Sequence, residues 1–368
     1  MTSGETSPAG DAGGTKSGTT SVMAGEIAEQ PAALSRTLDA LLPLRADLRA
    51  LAAGRRHVLL VARGSSDNAA VYGRYLLETH SEVSAALAAP SVATHYRRRH
   101  DLSDTVVVAL SQSGGTEEIV QTQRWARGCG AASVAVTNEP GSPLAAEADI
   151  ALVTRAGREV AVPATKSYTT QLAALAVLAT ALAADPQALG DDLRRAPDEL
   201  ESLLRGRAGV DQAVEWLAAE DSTLVTGRGL VLGTALEVAL KLEETCLRPV
   251  RGLSYADLRH GPIAIVRGGV NAVLVSAADG PLVDGMSDLA ADLRVRGATV
   301  IGFGGDERFR DRCDVAVPGP RLSEPVAPLA LVGPAQLVVE SLARRLGLDP
   351  DAPRGLSKVT QTDRTEQL

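Results

Sequence analysis

From Ile27 to Leu51 the apolar residues Ile27, Leu34, Leu38, Leu41, Leu42, Leu48 and Leu51 recur at helical spacing, broken at Pro31 and Pro43. This pattern predicts a helical lead-in over residues 23–50. Short β-branched runs follow at Val58–Val61, Thr105–Leu110, Ser133–Val136 and Ile150–Val153, most of them leading through glycine into a helical pattern. Continuous apolar strands alternating with helices predict a parallel sheet covered on both faces, an α/β domain over residues 51–195. Leu172–Ala184 is apolar but shorter than the roughly 20 residues of a spanning helix, so it predicts a buried helix. A polar linker is expected around Asp191–Ala208.

Beyond that linker the landmarks return at an offset of about 165 residues. Leu60-Val61-Ala62-Arg63-Gly64 answers to Leu224-Val225-Thr226-Gly227-Arg228-Gly229, Thr105–Val108 to Val270–Val273, and Val134-Ala135-Val136 to Val300-Ile301-Gly302. The repeated order predicts a duplicated α/β domain over residues 208–346, ending in a helix at Leu329–Leu346. Residues 347–368 read as a polar tail. Residues 2–21 hold no large apolar side chain, so residues 1–22 are expected to be disordered.

Composition narrows the function. The chain has 368 residues, 37 Lys plus Arg against 45 Asp plus Glu, and a formal net charge of -8, so it lacks the basic footprint of nucleic-acid or anionic-membrane binding. Nine aromatic residues leave the core to Ala, Leu and Val and supply no base-stacking platform. Cys129, Cys246 and Cys313 stand far apart, which argues against disulfides and thiolate metal sites and for a reducing, cytoplasmic setting. No signal-peptide core is present at the amino terminus.

Candidate chemistry lies in four places. Ser111-Gln112-Ser113-Gly114-Gly115-Thr116 follows an apolar strand and precedes a helical pattern, and supplies hydroxyls, glycines and free helix-start N–H groups for a phosphate dianion. The competing reading is a plain Ser/Thr helix cap. Gly64-Ser65-Ser66 ends the first strand and belongs at the same carboxyl edge of the sheet, where ligands of open α/β folds bind. With no dinucleotide or triphosphate loop in the chain, a sugar phosphate is the simpler ligand.

Glu237, Lys241 and Glu244 share one face of an apolar helix, either as a solvated ion pair or as a base with a cation beside it. His260 precedes a Gly-Pro turn and a strand-like Ile263–Val266, which places its imidazole at a loop tip. The remaining histidines, His57, His80, His95 and His100, read as surface residues.

Together these strings, with Glu159–Gln171, Leu236–Glu244, His260-Gly261-Pro262 and Pro353–Lys358, resemble the tandem sugar isomerase (SIS) domain family. That family includes the isomerase part of the glucosamine-6-phosphate synthases and the stand-alone SIS-type glucosamine-6-phosphate deaminases. The resemblance runs from about Glu26 to Thr362 and implies an α/β fold of two tandem SIS domains, each a flavodoxin-like parallel sheet flanked by helices. It implies a sugar-phosphate site at Ser65, Ser66, Ser111, Gln112, Ser113 and Thr116, with Val162, Ala164 and Ser357 beside it. Glu244 matches the carboxylate that moves a proton between C1 and C2. His260 matches a ring-opening histidine that reaches in from a second subunit, implying a homodimer. Lys358 and Lys241 match active-site lysines.

No metal, cofactor, nucleic acid or membrane is expected. The synthases' glutaminase half has no counterpart in this sequence, and Arg63–Asp67, Pro90–Ala93 and Gly355–Thr362 look closer to the deaminases. The expected reaction is glucosamine-6-phosphate to fructose-6-phosphate and ammonia. The alternatives are synthase-like aminotransfer or isomerisation, an N-acyl, galacto or fructosamine substrate, and a sugar-phosphate sensor. Ala164, Gly115 and Arg251 depart from the synthase pattern, and Arg251 is expected to alter the amino-sugar end of the pocket.

Overall fold

The computed structural model describes residues 20–185, 187 and 189–362. The first half runs α1 (Val22–Ala28), α2 (Gln30–Leu41), α3 (Arg45–Ala52), β1 (His57–Val61), α4 (Ser65–His80), β2 (Ser84–Leu87), α5 (Pro90–Thr94), β3 (Thr105–Leu110), α6 (Glu117–Gly128), β4 (Ala132–Thr137), α7 (Pro143–Ala146), β5 (Ile150–Val153) and α8 (Lys166–Leu182). Its five strands pair in parallel in the order β2-β1-β3-β4-β5. All six residues of β3 and of β4 are buried, which is why those runs read as continuous apolar stretches.

The second half runs α9 (Gly190–Gly206), α10 (Val210–Ala219), β6 (Ser222–Gly227), α11 (Leu232–Cys246), β7 (Val250–Ser254), α12 (Tyr255–Arg259), β8 (Val270–Ser276), α13 (Val283–Val295), β9 (Thr299–Gly304), α14 (Glu307–Asp311), β10 (Val315–Val317) and α15 (Pro328–Arg345). Its sheet has the order β10-β9-β8-β6-β7, again parallel. Numbered from each half's first strand and read from the same edge, both sheets have the order 2-1-3-4-5. The chain therefore contains the same α/β topology twice.

Three readings of the sequence change. The stretch around Asp191–Ala208 is not a linker but the amphipathic helix α9, whose Leu193, Ala196 and Leu200 are buried while its charges face outward. Ile263–Val266 is not a strand, since Pro262–Ile265 forms a 3-10 turn held by the Ala264 N–H to the Gly261 carbonyl. Order also begins before residue 22, because the Ser21 hydroxyl accepts from the Ala24 N–H (3.0 Å) and donates to Glu340 (2.6 Å). Residues 1–19 of the segment expected to be disordered lie outside the described residues.

The two halves share a helical seam. α8 is buried along almost its whole length and packs against α2, α3 and α4, while α15 packs against α9, α10 and α11 of its own half and against α8 of the other. Among the described residues, no helix is long and apolar enough to cross a membrane.

Candidate active site

In a sheet of order 2-1-3-4-5 the connections leave β1 and β3 in opposite directions, so a crevice opens at their carboxyl ends. A cavity of about 460 Å³ lies there. Both connections are glycine-bearing turns into helices. Gly64 adopts φ +58 and leads into α4, so Ser65 and Ser66 open that helix. Gly114 adopts φ +59 with the Ser142 hydroxyl packed against its Cα, where a Cβ would stand 2.1 Å from Oγ. Only glycine fits this turn.

The Ser/Thr loop is not a plain cap. Thr116 occupies the N-cap position of α6 but makes no side-chain capping bond; its hydroxyl lies 3.2 Å from that of Ser111. Ser113 Oγ accepts from the Gly115 N–H at 3.2 Å, which fixes the turn. Ser65, Ser66, Ser111, Gln112, Ser113 and Thr116 all line the cavity, at the starts of two helices whose dipoles favour an anion.

The catalytic candidates form the facing wall. α11 brings Lys241 and Glu244 to the cavity, and the Lys241 ammonium hydrogen-bonds the Glu244 carboxylate. Lys241 is buried and Glu244 about a quarter exposed, so the pair is not the solvated surface bridge that spacing alone allowed. Glu237, one turn earlier, has no exposed side-chain surface; its Oε1 is 3.5 Å from Lys241 Nζ and its Oε2 accepts from Asn68 Nδ2 at 2.9 Å. Burial pushes the Glu237 carboxyl up to about 7, against the pull of Lys241 and Asn68. Burial also works against the charge of Lys241, but Glu237 and Glu244 outweigh it and hold its pKa above the usual lysine value.

The tail closes the third side. Leu356, Ser357, Lys358, Val359, Thr360 and Thr362 line the cavity together with Val162 and Ala164. Lys358 Nζ donates to Glu159 Oε2 and to the Ala161 carbonyl, both at 2.7 Å. Glu159 is fully buried and also accepts from the Ser167 hydroxyl (2.6 Å) and from the N–H groups of Thr165 and Ser167 (3.0 Å each). Burial alone would raise its pKa; Lys358 and Ser167 hold it below the ordinary carboxylate range. Farther along, Gln361 accepts from the Glu117 N–H, and Thr362 donates to Glu118 (2.8 Å), itself in a bidentate bridge with Arg63 (2.9 and 3.0 Å).

Of the sequence-predicted residues, Glu237 does not line this cavity and His260 lies outside it. His260 is exposed at the end of α12, where its backbone N–H caps the helix. Arg251 is not in the cavity either. It borders a neighbouring recess with Asp67, Asn68 and Glu243 on an adjacent face of α11, so within one chain it does not line the cavity. Sequence reasoning passed over Arg63 and Glu159 as site residues. Both stood inside strings already singled out, and their signal was a charge placed beside glycine or apolar neighbours at the end of a strand or the start of a buried helix.

Residues 52–181 match the family model described as SIS domain. The chain is 36% identical over 361 residues to a glutamine–fructose-6-phosphate aminotransferase (isomerizing) of Symbiobacterium thermophilum, covering 91% of this chain and 58% of that protein. It thus spans less than three fifths of the length of this curated relative. A solved structure from Silicibacter pomeroyi, assigned as a phosphosugar isomerase, superposes with a TM-score of 0.80 at 31% identity, covering 90% of this chain and 100% of that one. Glucosamine-6-phosphate deaminase of Thermotoga maritima superposes at 0.75 with 25% identity, covering 93% and 100%. Residues 52–181 are thus a SIS domain.

Proposed function

We propose that the protein is an amino-sugar-phosphate isomerase and deaminase that converts glucosamine-6-phosphate and water to fructose-6-phosphate and ammonia. The observation that carries this reading is the placement of Glu244, backed by Lys241, across one cavity from the paired hydroxyl-rich helix starts at Ser65 and Ser111–Thr116. In this reading the helix starts take the anion and the carboxylate serves the carbons of the sugar. The phosphate binds the helix starts and the sugar extends toward Val162, Ala164 and Ser357. His260 of a second copy opens the ring, which makes the working unit a homodimer, and the second half of the chain is a second SIS domain. Glu244 takes the proton from C2 of the open aldehyde and returns it to C1, and Lys241 and Lys358 balance the charge of the intermediate. Water then releases ammonia from the fructosimine phosphate.

The 36% identity to an aminotransferase favours one second reading, the same proton transfer run toward glucosamine-6-phosphate with ammonia supplied from elsewhere. Release of ammonia and fructose-6-phosphate from glucosamine-6-phosphate tests the first. Both products should form in equal amounts, and Glu244→Gln should cut turnover by about 10²–10⁴-fold while ligand still binds. Full activity in that variant would remove Glu244 as the base. Tight binding by the wild type without turnover would instead make the protein a sugar-phosphate sensor.

A further inference from the structure

Glu237 is one turn behind the pair that the proposed reaction uses, and nothing in that reaction employs it. Its surroundings are unusual for a structural carboxylate. The side chain is fully buried, yet Oε1 has no partner closer than Lys241 Nζ at 3.5 Å, too long for a good hydrogen bond. Buried polar atoms of this kind call for a functional explanation. The nearest cation, Lys241, stands 3.5 Å from Glu237 but hydrogen-bonds Glu244.

We propose that Glu237 is a positioning residue for the base: by competing for Lys241 it decides whether the ammonium clamps Glu244 or leaves its oxygen free to take the substrate proton. This rests on the reading of Glu244 as the proton-moving group. With a proton on Glu237, Lys241 has one anionic partner on α11 and stays on Glu244. With Glu237 ionised, the ammonium is shared between two carboxylates and its hold on Glu244 weakens.

The charged and titratable groups around Glu237 are few. α11 supplies Lys241 and Glu244, while Glu243 borders the recess on the other face. α4 supplies Ser65 and Asn68, which stabilise the ionised form, and Tyr72; α8 supplies Tyr168. Both tyrosines are held neutral by burial, with pKa values far above the usual range. The segment before α8 supplies Glu159, already neutralised by Lys358. On α15, Glu340 is turned to Ser21 and Arg344, and on β7 Arg251 lies in the neighbouring recess. The group best placed to change charge here at neutral pH is Glu237 itself, with its carboxyl at about 7.

The test is the pH profile of turnover on glucosamine-6-phosphate from pH 5.5 to 9 for the wild type, Glu237→Gln, Asn68→Asp and Glu244→Gln. The wild type should rise through an acid limb near pH 7. Glu237→Gln should lose that limb and turn over about tenfold more slowly at pH 8, with KM little changed. Asn68→Asp, which replaces the donor on Glu237 by an anion, should move the limb upward; a limb belonging to His260 would stay where it is in both variants. Should Glu237→Gln fail to fold, the shift in Asn68→Asp decides alone. An unchanged limb in these variants, with Glu244→Gln inactive, overturns this inference and leaves the proposed reaction standing. Full activity in Glu244→Gln, or no turnover by the wild type, overturns both.

Discussion

Glu159 accepts four hydrogen bonds within the protein interior, and one of the four donors, Lys358, lies 199 residues away in the tail. The remaining three would keep the carboxylate ordered but not neutralised. Lys358→Met should therefore leave a buried anion short of its cation and lower stability by about 1–3 kcal/mol, read by thermal unfolding at pH 7. It should also expose the tail to proteolysis. The sign with pH follows from the depressed pKa of Glu159: its contribution is present above the unfolded carboxylate value and is lost as pH falls through the lower folded one. Acid should loosen the wild-type tail only as pH falls through that depressed value, and a tail as well ordered at pH 2 as at pH 7 would sink the idea. Such a pairing was invisible in the sequence, where each partner sits in a recognisable string but nothing ties one string to the other. Ser65, Ser66 and Ser111–Thr116 were legible because a strand, a glycine and a hydroxyl run are neighbours along the chain.

Helices α4 and α11 must approach closely for Ser65 and Glu244 to share one cavity. Gly233 permits this: a Cβ there would stand 2.5 Å from the Asn68 carbonyl oxygen, a backbone atom that has little freedom to move. Gly233→Ala should push the helices apart, cost about 1–3 kcal/mol and reduce turnover. Gly128→Ala at the end of α6, where nothing lies within 4 Å, should change stability by no more than about 0.5 kcal/mol. Similar melting temperatures for the two variants would remove this role from Gly233. The strands read best from sequence were those with continuous β-branched or aliphatic runs: buried β3 and the half-buried edge strand β5 have the limits those runs suggested. β2, β7 and β10 went unrecognised because they are short or have no continuous buried apolar run. Ser84-Ala85-Ala86-Leu87 has no β-branched residue, and Val250–Ser254 has no buried face strong enough to mark it. α9 was read as a linker because its charges outnumber its apolar stripe.

The repeated topology gives the molecule two crevices of the same kind, and they are not alike. After β1 and β3 the loops carry hydroxyls and leave about 460 Å³ free; after β6 and β8 only about 10 Å³ remains among Arg228, Asp279, Leu282 and Glu324. Leu282 packs onto Gly229, and Asp279 together with burial raises the pKa of Glu324. An anion has no room there, and Asp279 and Glu324 set two carboxylates beside the one guanidinium of Arg228. Calorimetric titration with a phosphosugar should give one site per chain, abolished by Ser65→Ala with Ser113→Ala; two equivalent sites would contradict the filled second crevice. The duplication was legible from the spacing of strands and glycines, whereas the loss of one crevice was not, because it depends on how Leu282 and Glu324 fold over the loop.

The Asp351 carboxylate accepts from the N–H groups of Val22 and Met23, at 2.9 and 2.7 Å, while the Asp351 carbonyl accepts from Val162, which lines the cavity. The start of the first helix and the beginning of the tail are thus one location, knotted beside the mouth of the pocket. Loss of the Asp351 carboxylate would therefore free the first helix and the start of the tail together, so a single side chain ties both segments to the wall of the pocket.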